Sequence, residues 1–139
     1  MKLFQVLLLF SIISFQAVDA RNCLTPTYKY TIFVANALPQ NSPPLYLHCA
    51  SGDKELGNHT LTAGQNFNFD FCIGFKTLYF CHLWWNGKNI AFDVFNNKVD
   101  EKCVPTLSDG NKCYFEGRSD GIYFANDYPP KDFTKQYSW

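Results

Sequence analysis

The sequence predicts an all-β protein, a small antiparallel β-sandwich of broadly immunoglobulin-like architecture, stapled by disulfides. Three observations carry that expectation. Asn66-Phe67-Asn68-Phe69-Asp70-Phe71 alternates strictly, which lines its phenylalanines along one face of a strand and would scatter them around a helix. Asn86-Gly87 separates two aromatic-rich runs, and this dipeptide suits a type I′ hairpin because both central residues take positive φ. No long segment carries helical periodicity, whereas short β-branched and aromatic runs recur between polar turns.

Residues 28–36 are β-branched and aromatic and form the first expected strand. Leu38 to Pro44 carries prolines with Asn41 and Ser42 and reads as a loop. Residues 45–50 alternate, with Leu45, Leu47 and Cys49 on one face and Tyr46 and His48 on the other. Ser51 to Gly57 is polar and turn-like. Strands are expected at 66–71 and 77–85. In the second of these, Trp84 and Trp85 should point to opposite faces, one into the core and one outward near the hairpin tip. Residues 89–95 complete the hairpin, and Asn96 to Lys112 is a hydrophilic connection interrupted by Cys103, Val104 and Leu107. Strands at 113–116 and 122–125 close the set, joined by the turn-rich Gly117 to Gly121. The tail, 126–139, contains Pro129-Pro130 and is expected to be loosely held.

Met1 to Ala20 has the layout of a secretory signal peptide: Lys2, an apolar stretch from Leu3 to Phe15, then Val18-Asp19-Ala20 before the expected cut. The apolar run is shorter than the ~20 residues of a bilayer span, so no membrane insertion is expected. Residues 21–139 then form a single secreted domain. All six cysteines (Cys23, Cys49, Cys72, Cys81, Cys103 and Cys113) lie beyond the leader. An even set in an exported chain argues for disulfides. No Cys-x-x-Cys pair is present, and His48, His59 and His82 lack zinc-site spacing, so no metal or other cofactor is expected. The formal net charge is zero, without the basic stripe that nucleic-acid binding requires.

The motifs resemble a known family. His48-Cys49-Ala50-Ser51-Gly52-Asp53-Lys54-Glu55-Leu56-Gly57 resembles the His-Cys-x-Ser-x-Asp-x-x-Leu-Gly signature of plant self-incompatibility S-protein homologues. The order of the later motifs is also similar: Phe67-Asn68-Phe69, Thr77-Leu78-Tyr79-Phe80-Cys81, Phe92-Asp93-Val94-Phe95, then Cys113 with Asp120-Gly121-Ile122-Tyr123. The chain departs from the family pattern in three respects. Phe115 stands where tryptophan is usual, Cys103 and Cys113 are spaced more widely, and Cys23 and Cys72 add to the common cysteine set. The resemblance implies a small secreted β-sandwich without enzymatic activity, acting as an extracellular ligand for a cell-surface receptor, with pollen–stigma recognition as the founding role.

Sequence alone leaves the cysteine connectivity open. The expected pairing is Cys49–Cys113 across the sheets, Cys81–Cys103, and Cys23–Cys72 as an extra clasp. Asn58-His59-Thr60 is an N-glycosylation sequon in the expected polar turn, and Asn111-Lys112-Cys113 is a rarer variant discounted because Cys113 is expected to be bridged. Recognition residues are sought on the long polar connections, at Lys98, Asp100, Glu101, Lys102, Asp109 and Lys112. Two other readings remain. His48 and His82 on strands could supply the acid and base of a secreted hydrolase or ribonuclease. Exposed aromatics could bind carbohydrate or a microbial surface in a defence role. There is no Gly-x-Ser-x-Gly elbow for serine catalysis.

Overall fold

A computed structural model describes Cys23 and residues 29–74, 77–96, 103–106 and 110–139, the side chains of 104–106 excepted. The expected signal peptide lies outside the described residues. The strands, in chain order, are β1 (Lys29–Asn36), β2 (Leu45–Ser51), β3 (Glu55–Leu61), β4 (Asn66–Cys72), β5 (Tyr79–Trp85), β6 (Lys88–Phe95), β7 (Val104–Thr106), β8 (Gly110–Arg118), β9 (Gly121–Ala125) and β10 (Thr134–Tyr137). They form a larger sheet, β10-β9-β8-β1-β4 with β7 also paired to β8, and a smaller sheet, β3-β2-β5-β6. Every pairing is antiparallel except that of β1 with β8, which is parallel.

The inward rows of the two sheets meet in one core. Ile32, Val34, Leu45, Leu47, Leu83, Val94 and Ile122 are sealed from solvent. The expected phenylalanine face of β4 points inward: Phe71 is buried and Phe67 and Phe69 pack against the core. Phe71 lies 4.7 Å from Tyr79 and 4.8 Å from Phe95 between ring centres, joining the two sheets at one end. Such aromatic pairs add about 0.5–1.5 kcal/mol each beyond their buried area. The hairpin between β5 and β6 turns at Asn86 and Gly87, with φ of 49° and 78°, as the dipeptide predicts. Trp85 is buried and Trp84 faces out.

Three elements differ from expectation. β3 runs through residues that read as a turn; it is a polar edge strand, held by pairing with β2 across a bulge between His48 and Ala50. β8 begins at Gly110 rather than Cys113, because the polar residues Asn111 and Lys112 pair with β1 on one side and β7 on the other. The tail is docked, not loose. Tyr128 stacks on Phe33 with ring centres 4.1 Å apart, β10 extends the sheet beyond β9, and Trp139 donates its indole N–H to the Arg118 carbonyl at 2.7 Å. Gly121 permits this closure, since a Cβ there would fall on the Tyr137 carbonyl.

The disulfides are Cys23–Cys72, as expected, but Cys49–Cys81 and Cys103–Cys113 in place of the crossed pairs. Strand register is the reason. Cys49 and Cys81 are direct partners on β2 and β5, both inward, with Cα atoms 4.1 Å apart. Cys113 belongs to the opposite sheet, and the Val104–Lys112 pairing sets Cys103 beside it at a Cα separation of 5.2 Å. Non-reducing peptide mapping should recover these three pairs. Replacing both Cys49 and Cys81 by alanine should cost about 3 kcal/mol in urea unfolding, whereas a Cys49–Cys113 linkage in the map would overturn the assigned register.

Candidate recognition surface

Two outward sheet faces are available, and they differ in cover. On the larger sheet, β1 and β8 present Phe33, Tyr114, Glu116 and Arg118 outward, and residues 126–133 lie over them. Phe133 packs edge-on to Tyr114, and the Arg118 guanidinium lies 4.7 Å from the Phe133 ring centre. Glu116 is buried beneath this strap yet satisfied: it accepts from the Tyr114 hydroxyl at 2.9 Å and from Arg118 Nε at 2.7 Å. Burial first, and then the Glu116 carboxylate, push the Tyr114 phenol well above its ordinary pKa. Residues 126–133 thus cover this face, with Tyr128 and Phe133 themselves partly exposed.

The smaller sheet's outer face is open. Register places Thr60, Tyr46, Trp84 and Asn89 in one row across β3, β2, β5 and β6, and Asn58, His48, His82 and Ala91 in the next. Tyr46 is 50% and Trp84 38% exposed. His82 stacks on Trp84 at 3.8 Å between ring centres, and its Nε2 donates to Asn89 Oδ1 at 3.0 Å. His48 Nε2 donates to the Glu55 carboxylate, which also accepts from the Gly57 N–H at 3.0 Å. The Gly57 N–H and then His48 hold the exposed Glu55 carboxyl below its ordinary range. His59, on the opposite side of β3, stacks on Phe67.

The structure thus sets His48 and His82 side by side, but on a flat sheet, each with its Nε2 already donating. Surface hollows of about 590 and 430 Å³ lie elsewhere, the first beside Ser51, Thr77 and Tyr79 and the second between Asn36 and Pro129. Neither histidine lines them. Among the described residues, no group of metal-ligating side chains could hold an ion, and no helix is long and apolar enough to cross a membrane.

Lys98, Asp100, Glu101, Lys102 and Asp109 lie outside the described residues. Lys112 is a correction: it sits half-buried on the central strand β8 and not on a loop. Asn58 is exposed on strand β3 instead of a turn. Sequence reasoning identified the outward position of Tyr46 and His48 but missed Glu55 as the partner of His48, because the bulge that joins them leaves no periodic trace.

The profile of the plant self-incompatibility protein S1 family matches residues 31–139. The chain belongs to that family. S-protein homolog 2 of Arabidopsis thaliana is 34% identical over 127 residues, 87% of this chain and 74% of that one. S-protein homolog 8 of the same plant is 31% identical over 113 residues, 80% of this chain and 81% of that one. A solved self-incompatibility protein homologue, described as one of a widespread family of small, highly stable, secreted plant proteins, superposes with a TM-score of 0.54 at 19% identity. It covers 84% of this chain and 99% of its own, and so shares the S-protein fold.

These contacts give two pH dependences. The Glu55 carboxyl should titrate below 4.5 in a carboxyl NMR titration and move up in His48→Gln. Its folded pKa is depressed, so its stabilisation is present above pH 4.5 and lost as pH falls through the folded midpoint. Tyr114 has a raised pKa, so its contribution is present below pH 10.0 and lost as pH rises further. Absorbance titration should show Tyr114 protonated until the chain unfolds in alkali, and Tyr114→Phe should unfold at higher pH.

Proposed function

We propose that this S-protein homologue is a secreted, non-enzymatic recognition ligand that binds a cell-surface receptor through the polar connections around β7. Export is supported by the signal-like leader and by a cysteine set consumed in bridges, with no free thiol among the described residues. The observation that carries the binding reading is the Cys103–Cys113 bridge. It ties the short segment between residues 97–102 and 107–109 to β8, the strand at the centre of the larger sheet. Variable loops fixed to a rigid scaffold are where binding residues concentrate.

The non-enzymatic part of the reading is supported by the flat setting and committed hydrogen bonds of His48 and His82, since substrate sites are ordinarily concave. A second reading, carbohydrate binding, is favoured by one observation: the exposed Tyr46 and Trp84 on a single row.

The test uses tagged, oxidatively folded protein on cells of the producing plant, pollen included. Saturable binding, competed by unlabelled protein, is expected. Reversing the charges of Lys98, Asp100, Glu101 and Lys102 together should abolish that binding without lowering the melting temperature. Unchanged binding in this variant would reject the loop assignment. Loss in Tyr46→Ala with Trp84→Ala, together with a reproducible glycan-array preference, would favour carbohydrate. Retained function should also accompany substitution of both histidines; loss of an RNA- or ester-cleaving activity there would reinstate the enzyme reading.

A further inference from the structure

The open outer face of the smaller sheet holds the most exposed large aromatic of the described residues, Tyr46, in register with a modification sequence. Asn58 and Thr60 are both exposed on edge strand β3, while His59 between them turns inward against Phe67. The acceptor amide and the sequon hydroxyl therefore project on the same side as the Tyr46, His48, His82 and Trp84 rings. Asn58 lies directly opposite His48, and Thr60 directly opposite Tyr46.

We propose that Asn58 carries an N-linked glycan whose proximal sugars lie across this face and cover His48, Tyr46 and Trp84. In the covalent step, Asn58 Nδ2 bonds to the anomeric carbon of a polyprenyl-diphosphate-linked oligosaccharide in the secretory pathway. The anomeric C–O bond to the diphosphate breaks, the polyprenyl diphosphate leaves, and the amide nitrogen gives up a proton. The proposal rests on export of the chain and is independent of which receptor the chain binds.

Geometry and chemistry agree on the occupant. Directly opposed residues on neighbouring strands stand roughly 5 Å apart between Cβ atoms and diagonal ones about 7–8 Å, so His48 and Tyr46 flank the attachment point. Two strand spacings, roughly 10 Å, reach His82 on β5, which the first pair of N-acetylglucosamines spans. The C–H faces of these sugars suit the stacked His82–Trp84 pair and the Tyr46 ring. Their hydroxyls and acetamides meet Asn89, Thr60 and Glu55 at the margin. A contiguous exposed aromatic face on a secreted protein calls for cover, and a glycan is bulky and solubilising. The larger sheet answers the same need with its own strap of residues 126–133.

The full chain, with its leader, is expressed in plant cells and its intact mass compared before and after peptide N-glycosidase A. One glycan and conversion of Asn58 to aspartate on release are expected, both lost in Asn58→Gln and in Thr60→Ala. Acrylamide quenching then reads the packing: the accessible tryptophan signal should rise on deglycosylation, and that rise should vanish in Trp84→Phe. An unmodified Asn58 in the secreted protein would overturn the proposal. So would a glycan whose removal leaves Trp84 quenching unchanged, since it would then project into solvent. Cell binding unaffected by Asn58→Gln would leave the receptor reading standing even if this one failed.

Discussion

The parallel pairing of β1 and β8 is the constraint on which the remaining structure depends. It joins residues about eighty positions apart, Tyr30 with Asn111 through Asn36 with Gly117, and places both strands at the centre of the larger sheet. Non-local pairing of this kind is slow to form and gains nothing until the loop closes. Once formed, it fixes everything that uses β8. Its inward row supplies Cys113 and Phe115 to the core, its outward row supplies Tyr114, Glu116 and Arg118, and its free side seats β7 and then β9. Asn111 strengthens the junction by donating its side-chain amide to the Lys29 carbonyl at 3.1 Å.

From that centre the two outer faces diverge. The larger sheet buries its outer aromatics under residues 126–133 and satisfies a buried carboxylate with a phenol and a guanidinium, which is the condition for such a charge to be tolerated away from water. The smaller sheet leaves Tyr46 and Trp84 in solvent and ties its histidines to short polar partners. The two faces thus differ in what they show to solvent: a covered layer on the larger sheet, a flat row of exposed aromatics on the smaller.

The disulfides obey the same logic. Two of them join neighbours that the sheets already bring together, Cys49 on β2 with Cys81 on β5 and Cys103 beside β7 with Cys113 on β8, and the third ties Cys23 to the end of β4. None spans the core between the sheets, which is left to apolar packing and to the cluster of Tyr30, Phe71, Tyr79 and Phe95. Bridges of this placement restrict the unfolded chain without imposing the sheet separation.

Sequence by itself determined the class and the faces. The alternation of Phe67, Phe69 and Phe71, the opposite fates of Trp84 and Trp85, the Asn86-Gly87 turn and the outward placement of Tyr46 and His48 all come from a side-chain period of two and local turn chemistry. Family membership was legible in the ordered motifs from His48 onward. Tertiary structure decided what has no local signal. β3 and the start of β8 are polar stretches that become strands because a neighbour supplies their hydrogen bonds, and β10 is held by pairing with β9, by the Trp139 bond to the Arg118 carbonyl and by the Tyr137 contact with Phe92. Cysteine partnership, the His48–Glu55 contact and the row shared by Asn58 and His48 depend on register between strands, which is a property of pairs of segments and not of either one alone.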